Sequence, residues 1–316
     1  MTLPALAPLK PAALRPGATL GIVSPASTPR RELVELGLAQ LQQLGYRTVV
    51  FPHALQRGPL YYAGTLHQRL ADLQDAFADP TIDAVLCTRG GWGSAELLPL
   101  LSAEVFRKNP KPFIGYSDHT SLHLWLQAHT GMVTFHGPML AADFARVDGV
   151  HRTSWVSSLS HTSPWSLDHY AGLRVLRPGV ATGRLQGGCL TLLAESLGTP
   201  YAPYLHDTIL WLEDIGTKPF QWDRMLLHLR YAGMLQGVNG IVFGDMSQCV
   251  APDDMELVES AILHALRDFV GPIAIGLQSG HVSAPNVTLP LGVKARLDLT
   301  HVGYPQLHLL ESAVTV

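Results

Sequence analysis

Short apolar runs alternate with helix-like segments from residue 18 onward, and this alternation restricts the fold more than any other feature of the chain. The strand-like runs cover residues 19–23, 46–51, 82–87 and 112–116. The helix-like segments that follow them cover residues 34–41, 66–77, 94–101 and 119–129. Because strands and helices in this order form crossover units, the sequence predicts an α/β fold with a parallel sheet covered on both faces.

Local signals mark the ends of two of these helices. Thr65 followed by Gln68 has the spacing of a capping box, in which each residue satisfies a backbone amide at the start of a helix. Pro80 ends the same helix. Gly45 stands where the preceding helix should end, since glycine takes positive φ without a steric cost.

The second half of the chain also alternates, after an interruption rich in Ser, His, Trp and Pro near residues 145–180. Strand-like runs lie at 208–212, 240–243 and 273–275, and helix-like segments lie at 220–231 and 255–269. A length of 316 residues suits two domains. We predict an N-terminal α/β domain of residues 1–160, a linker of residues 161–180 and a C-terminal α/β domain of residues 181–316.

Composition narrows the possible partners and the compartment. A net charge of -3, with no run of five or more Lys or Arg, argues against a nucleic-acid partner. No segment has about 18 uninterrupted apolar residues, and residues 1–17 lack the apolar stretch of a secretory signal, so we expect no membrane partner. The three cysteines are widely separated, which fits a reducing compartment and predicts a cytoplasmic protein.

The first candidate site residue is Ser117, where the apolar run 112–116 ends and a helix begins at once. Such an elbow lifts a serine out of the carboxyl edge of a sheet, beside amides that stabilise an oxyanion. His119 occupies the place of the second glycine in the usual GxSxG pattern. From this pattern alone, a helix N-cap without a catalytic role is the favoured interpretation of Ser117.

A glycine loop lies between the third strand-like run and the helix that follows it. Three of its four residues are Gly90, Gly91 and Gly93, and the fourth is Trp92. Because the carboxyl ends of parallel strands share one edge, this loop should lie beside Ser117 and offer amides to an anion. It lacks the lysine of a nucleotide-binding P-loop, and its glycines could instead serve only a tight turn.

Acidic and imidazole groups in the second half offer partners for a serine. Glu213 and Asp214 end an apolar strand, and the sequence pattern does not decide which of them could orient an imidazole. His281 follows the run 273–275 in a loop of small residues, where a side chain can face a cleft. His119 and His123 share a helix face, but neither an HExxH pattern nor a third ligand accompanies them, so we expect no metal.

Taken together, these segments resemble the LD-carboxypeptidase family of serine peptidases, which includes muramoyltetrapeptide carboxypeptidases and microcin-immunity peptidases. The resemblance covers nearly the whole chain. Its motifs in the first half are Tyr62-Ala63-Gly64, residues 69–80, Arg89-Gly90-Gly91-Trp92-Gly93, Gly115-Tyr116-Ser117-Asp118 and His136-Gly137-Pro138-Met139. Those in the second half are Gly187-Gly188, Gly198-Thr199-Pro200-Tyr201, Leu212-Glu213-Asp214-Ile215-Gly216, Asp223-Arg224-Met225-Leu226, Gly280-His281 and Leu289-Pro290-Leu291-Gly292.

The resemblance implies a nucleophile at Ser117, an acid at Glu213 and a general base at His281. It further implies a flavodoxin-like, or class I glutamine-amidotransferase-like, N-terminal domain and a smaller C-terminal α/β domain, with the site between them. The amides of Asp118 and Gly91 should then form the oxyanion hole, with Gly90 and Trp92 in the substrate site. The family also implies a homodimer and a reaction without metal or organic cofactor.

By the same resemblance, the substrate is a murein tetrapeptide that loses its terminal D-alanine during peptidoglycan recycling. Two alternatives stay open: an immunity-type peptidase that cleaves acyl-sulfamoyl nucleotides, and a catalytically silent protein that binds murein peptides. Two residues depart from the family pattern. Cys189 stands where asparagine is usual, and Trp92 replaces the more common tyrosine, so both bear on substrate preference.

Overall fold

The computed structural model, which describes residues 6–167, 172–251 and 254–316, contains two β-sheets with helices packed against them. The elements of the first half are β1 (Thr19–Val23), α1 (Arg31–Gln43), β2 (Arg47–Val50), α2 (Leu66–Ala78), β3 (Ala84–Cys87), α3 (Ser94–Leu97), α4 (Ala103–Lys108), β4 (Phe113–Gly115), α5 (Thr120–Thr130), β5 (Thr134–His136) and α6 (Arg152–Ser160). Those of the second half are β6 (Trp165–Leu167), β7 (Arg174–Arg177), β8 (Val180–Cys189), α7 (Leu190–Glu195), β9 (Thr208–Glu213), α8 (Pro219–Tyr231), β10 (Val238–Gly244), α9 (Met255–Ala265), β11 (Ile273–Leu277), β12 (Leu289–Leu291), β13 (Lys294–Asp298) and β14 (Gln306–Leu309).

The first sheet has six strands in the order β12-β5-β4-β3-β1-β2. The five strands from the first half are parallel, as the alternation of elements predicts. The sixth, β12, comes from the far end of the chain and pairs antiparallel with β5. The sheet is therefore completed only when a segment of the second half returns to it.

The second sheet has eight strands in the order β6-β14-β13-β8-β9-β10-β11-β7. Its centre, β8 to β11, is parallel, and antiparallel strands flank it on both sides. The edge strands β6 and β7 lie within the interval 161–180 that the sequence predicts as a linker. Both are short and only partly buried, which explains the weak local pattern. The domain boundaries themselves stay a prediction.

The hydrophobic core is layered. One cluster of buried residues joins the inner faces of both sheets, with Ile22 and Phe135 from the first sheet and Trp211 and Leu297 from the second. Two further clusters fill the space between each sheet and its outer helices. Since burial of apolar area is the main favourable term in folding, the shared inner cluster fixes how the two sheets face each other.

Helix ends agree with the local signals. The Thr65 hydroxyl accepts from the Gln68 amide at 3.3 Å, and the Thr65 amide donates to the Gln68 side chain at 2.8 Å, so the capping box is present. The helix predicted over 255–269 ends earlier, at Ala265. Among the residues that the structure describes, no helix has the length and apolar character needed to span a bilayer.

Candidate active site

Ser117 lies at the first turn after β4, at the carboxyl edge of the first sheet. Its backbone has φ 64°, in the left-handed region that residues with a side chain rarely adopt. The preceding Tyr116 is extended, and a 3-10 turn over Ser117–His119 leads directly into α5. This is the strained strand-to-helix elbow that exposes a serine hydroxyl above a sheet.

Three side chains from separate strands meet at this elbow. The Ser117 Oγ lies 3.0 Å from Nε2 of His281, and Nδ1 of His281 lies 2.7 Å from Oε2 of Glu213. Glu213 is the last residue of β9, and His281 lies in the loop after β11. The carboxyl edges of the two sheets thus contribute a hydroxyl, an imidazole and a carboxylate to one hydrogen-bonded chain.

Two glycines make room for the carboxylate. A Cβ on Gly280 would lie 2.5 Å from the carboxyl carbon of Glu213, and one on Gly244 would lie 2.9 Å from its Cβ. Glu213 is only 2% exposed, and its Oε2 also accepts the backbone amide of His281 at 2.9 Å. The carboxylate therefore holds both the ring and the backbone of His281 in one orientation.

The environment of His281 favours its protonated form. Burial alone lowers the pKa of His281. The negative charge of Glu213 and its hydrogen bond to the ring outweigh burial, and the charges of Asp214 and Asp143 act in the same direction. The pKa of His281 is therefore raised above 6.5. The Tyr116 ring meets the imidazole edge-on, with ring centroids 5.1 Å apart. Such an imidazole accepts a proton readily and remains fixed in place while it does so.

The glycine loop lies against Ser117. A Cβ on Gly90 would lie 2.8 Å from the Ser117 Cβ and 3.3 Å from the Asp118 amide nitrogen, so only glycine leaves this approach open. The amide of Trp92 donates to the Ser27 hydroxyl at 3.1 Å and is therefore occupied. The Asp118 amide lies at the start of a helix, where amides have no carbonyl of the same helix to bind.

Side chains after Ser117 join the elbow to the glycine loop. The buried Asp118 carboxylate accepts from the Ser94 amide at 2.7 Å. His119 is fully buried, with Nδ1 3.0 Å from the Ser94 hydroxyl and Nε2 2.9 Å from the Arg89 carbonyl oxygen. Burial lowers the pKa of His119 to about 3, so the ring is neutral and donates to that carbonyl. His119 and Asp118 thus fix the loop relative to Ser117.

The choice between the two acids that end β9 follows from their contacts. Asp214 Oδ2 accepts from the amide and hydroxyl of Thr191 at 2.9 and 2.7 Å, and Oδ1 accepts from the Ile215 amide at 2.8 Å. Asp214 therefore caps the start of α7. Glu213, pointing to the other side of the strand, is the acid that reaches the imidazole.

A cavity of about 690 Å³ opens above Ser117 and His281. One wall is formed by the glycine loop, including Trp92, whose side chain is 63% exposed. The facing wall includes Cys189, which is 3% exposed and whose thiol pKa burial raises well above its usual range. Within the described parts of the chain, no three His, Cys, Asp or Glu side chains are arranged to hold a metal ion.

Comparison with known proteins agrees with this geometry. Residues 20–137 match the LD-carboxypeptidase N-terminal domain, and residues 182–297 match the LD-carboxypeptidase C-terminal domain. A relative from Bacillus subtilis, named a probable murein peptide carboxypeptidase, is 38% identical over 92% of this chain and 91% of its own length. The chain belongs to the LD-carboxypeptidase family.

The LD-carboxypeptidase described here is similar to two kinds of protein within that family. A solved structure of muramoyltetrapeptide carboxypeptidase from Oxalobacter formigenes superposes with a TM-score of 0.82 at 28% identity, covering 94% of this chain and 100% of the other. The microcin C7 self-immunity protein MccF of Escherichia coli is 27% identical over 92% of this chain and 93% of its own length. The chain is therefore a serine-type LD-carboxypeptidase enzyme.

The structure also brings in supporting residues that the sequence analysis does not single out. Arg69, only 2% exposed, donates to the carbonyl oxygens of Pro25 and Gly93 at 2.9 and 2.8 Å and holds the glycine loop from α2. Asp143 and Arg146 lie in a segment without regular structure and hold the loop of His281. One sequence signal could have identified Arg69. It lies on the buried face of α2 with Leu73 and Phe77, where a charged residue needs a partner.

Proposed function

We propose that this enzyme hydrolyses the amide bond that joins terminal D-alanine to the L-configured centre of a diamino acid in murein tetrapeptides. Ser117 is the nucleophile, His281 the general base and Glu213 the residue that orients His281. The observation that carries this proposal is the hydrogen-bonded chain from Ser117 through His281 to Glu213 at the base of the cavity. A serine with this pair of partners is the arrangement used for acyl transfer.

The reaction begins when Ser117 Oγ attacks the scissile carbonyl carbon and its proton passes to Nε2 of His281. Glu213 holds the other ring nitrogen protonated and stabilises the imidazolium. When the tetrahedral intermediate collapses, the carbon–nitrogen bond breaks and His281 gives its proton to the amine of D-alanine. Water, deprotonated by His281, then hydrolyses the acyl-enzyme and restores Ser117.

The oxyanion of this intermediate requires donors beside Ser117. We assign them to the amides of Asp118 and Gly91, with Gly90 keeping the approach to Ser117 open and Trp92 lining the substrate site. A Cβ on Gly90 would lie 2.8 Å from the Ser117 Cβ and 3.3 Å from the Asp118 amide nitrogen, which supports the roles of Gly90 and Asp118 in this assignment. Removal of one such donor costs roughly 3 kcal/mol in transition-state stabilisation.

The murein substrate is supported by the relatives and by the size of the cavity. Proteins named murein peptide carboxypeptidase and muramoyltetrapeptide carboxypeptidase are both similar to this chain over more than nine-tenths of its length. A cavity of about 690 Å³ lies within the range of sites for small molecules, roughly 300–1,000 Å³. A short peptide therefore fits better than a folded protein.

The test is D-alanine release from purified L-Ala-γ-D-Glu-meso-diaminopimelate-D-Ala in buffer that contains a chelator. We expect steady release by the wild type and a loss of roughly 10⁴-fold or more in Ser117→Ala. Circular dichroism of the variant shows whether it is folded. A folded wild type that binds the peptide without releasing D-alanine would instead make it a silent binder.

The similarity to MccF supports one second candidate, a peptidase that cleaves acyl-sulfamoyl nucleotides. The same enzyme preparations can be tested with glutamyl sulfamoyl adenosine. Cleavage of this compound in preference to the tetrapeptide, with the same loss in Ser117→Ala, would favour the immunity-type activity.

Three further expectations belong to this proposal. We expect the enzyme to act in the cytoplasm, to form a homodimer, and to divide into domains near residues 160 and 181. Fractionation of cells that express the protein tests the first expectation. Sedimentation equilibrium tests the second, and limited proteolysis between the two sheets tests the third.

A further inference from the structure

Two guanidinium groups that line the cavity have no partner among the residues that the structure describes. Arg89 precedes the glycine loop and is half-buried, and Arg30 lies just before α1 and is exposed. Within residues 6–167, 172–251 and 254–316, neither guanidinium forms a hydrogen bond or an ion pair with a side chain or a carbonyl group. We call these two residues the cationic wall.

Other charged groups at the site are satisfied by the protein. The guanidinium of Arg69 binds Glu96 and two carbonyl oxygens, and that of Arg146 binds Asp143 and three carbonyl oxygens. On the facing wall, the Asp214 carboxylate accepts three hydrogen bonds from backbone and hydroxyl groups. Among the described residues that line the cavity, Arg30 and Arg89 are the only arginines, so the guanidinium groups available to a ligand are those of the cationic wall.

Arg89 is held close to the reacting serine. It directly precedes Gly90, which contacts Ser117, and its carbonyl oxygen is fixed by the buried His119. Its Nη2 lies 3.6 Å from the position that a Cβ on Gly91 would occupy. The backbone of Arg89 is thus anchored, while its guanidinium extends along the loop at the cavity surface.

A carboxylate is the group that such a wall recognises best. The planar guanidinium fork binds carboxylates through two parallel hydrogen bonds, and it resists loss of its charge. In an exopeptidase substrate, the terminal carboxylate belongs to the leaving residue. Consecutive Cα atoms are about 3.8 Å apart, so this carboxylate stays in the same cavity as the scissile carbonyl group.

We propose that the cationic wall binds the C-terminal carboxylate of the peptide, with Arg89 as the principal contact and Arg30 as a second positive charge, and so restricts the enzyme to the last residue. This inference rests on the proposed peptidase function and adds to it the reason for exopeptidase specificity. A peptide extended beyond this residue, or capped as an amide, presents no carboxylate to the wall.

The test compares kcat/KM of the wild type, Arg89→Gln and Arg89→Lys on three peptides. These are the murein tetrapeptide, its C-terminal carboxamide, and the tetrapeptide with lysine in place of diaminopimelate, which lacks the side-chain carboxylate. Arg30→Gln is measured alongside. Arg31→Gln is the matched control, because it removes a neighbouring exposed charge that does not line the cavity.

We expect the wild type to prefer the free acid over the carboxamide by about 100-fold, and Arg89→Gln to lose most of that preference. Arg89→Lys should recover part of it, Arg30→Gln should lose a smaller part, and Arg31→Gln should keep it. The lysine peptide should respond to Arg89→Gln as strongly as the natural tetrapeptide does.

Other results overturn the assignment. If Arg89→Gln slows the acid and the carboxamide equally, the arginine does not bind the terminal carboxylate. If the effect of Arg89→Gln disappears on the lysine peptide, the wall binds the diaminopimelate carboxylate instead. If the wild type cleaves none of these peptides, releasing neither D-alanine nor D-alaninamide, the proposed function fails, and this inference fails with it.

Discussion

At the scale of single residues, the site depends on a charged pair that burial would otherwise oppose. Glu213 and His281 are almost fully buried, and burial penalises both charged forms. The 2.7 Å hydrogen bond between them offsets this penalty and keeps the imidazole basic. This balance leads to a specific pH dependence.

We expect kcat/KM to increase with pH through a midpoint above 6.5, because His281 must be neutral to accept the Ser117 proton and its pKa is raised. Activity should therefore be lost as the pH falls through this raised pKa. Glu213→Gln removes the negative charge that raises the pKa of His281, while burial still lowers this pKa, so the midpoint should move to lower pH. The rate should fall roughly 10²- to 10⁴-fold, because the imidazolium also loses its stabilising carboxylate. An unchanged midpoint in this variant, measured from pH–rate profiles, would contradict this account.

Gly90 provides a steric test of the same site. Its φ lies outside the left-handed region, so alanine is conformationally allowed there, but its Cβ would lie 2.8 Å from the Ser117 Cβ and 2.9 Å from Oγ. We expect Gly90→Ala to lower kcat by about 10²-fold, since a displacement of about 1 Å is enough for such a loss.

Gly303→Ala is the matched control, because a Cβ at Gly303 meets nothing within 4 Å. It should leave both activity and melting temperature unchanged. If Gly90→Ala retains full kcat, the loop does not restrict the approach to Ser117 in solution.

At the scale of elements, the loop after β11 presents His281 and is held by two side chains. The side chain of Asn286 forms two hydrogen bonds with the backbone of Gly280. It accepts from the Gly280 amide at 3.0 Å and donates to the Gly280 carbonyl oxygen at 3.1 Å. Arg146 donates to the carbonyl oxygens of Val282 and Ser283 at 3.1 and 3.3 Å, and its other nitrogen binds Asp143 at 3.0 Å. Arg146, from the first half of the chain, thus fixes the position of the loop in the second half that carries His281.

We expect Arg146→Ala to lower kcat/KM about 10-fold or more, because His281 loses this support while Ser117, Glu213 and His281 are all retained. Added guanidinium ion at millimolar concentration should restore part of the activity, a result that general destabilisation does not produce. Arg174→Ala, which removes a surface pair with Glu259, is the control and should have no effect on kcat.

At the scale of the whole molecule, the two halves of the chain are joined by more than the active site. The inner hydrophobic cluster contains residues from both sheets, and β12 completes the first sheet from the second half. Each half also packs a cluster of its own between its sheet and the outer helices, but the inner cluster is enclosed only when both halves are present. The positions of Ser117 and His281 relative to each other are therefore fixed by the packing of the inner hydrophobic cluster between the two sheets.

For this reason a chain that ends at residue 160 should not fold on its own. It lacks β12 and exposes inner-layer residues such as Ile114 and Phe135. We expect poorly dispersed NMR signals and no cooperative thermal transition for this fragment. The full chain should unfold in one transition, with far-ultraviolet circular dichroism and tryptophan fluorescence coinciding; a fragment that melts cooperatively would show that the halves are independent.

Much of the first sheet could be predicted from sequence because its strands and helices follow one another in short, regular units. The positions of β1 to β4 and the capping box at Thr65 depend on local periodicity and local hydrogen bonds. In contrast, β12 to β14 and the edge strands β6 and β7 pair over long distances along the chain. Their pairing is decided by partners that no local pattern reveals.

The same division applies to the site. Ser117 and the glycine loop follow neighbouring strands of one sheet, so the order of elements alone predicts that they lie close together. Glu213 and Asp214 are adjacent acids that the local pattern could not separate, and the assignment to Glu213 came only from the family resemblance. In the structure, the Glu213 carboxylate binds the imidazole of His281, and Gly280 leaves room for it. The Asp214 carboxylate binds the start of α7 instead.

The sequence by itself therefore determined the α/β class, the family and the elbow at Ser117, because these follow from short-range patterns and ordered motifs. Only the tertiary structure decided how the second half returns to complete the first sheet, how Arg146 holds the loop of His281, and which arginines remain unpaired in the cavity. The first two of these features depend on contacts between segments more than a hundred residues apart, such as the hydrogen bond of Arg146 to Val282 across 136 positions.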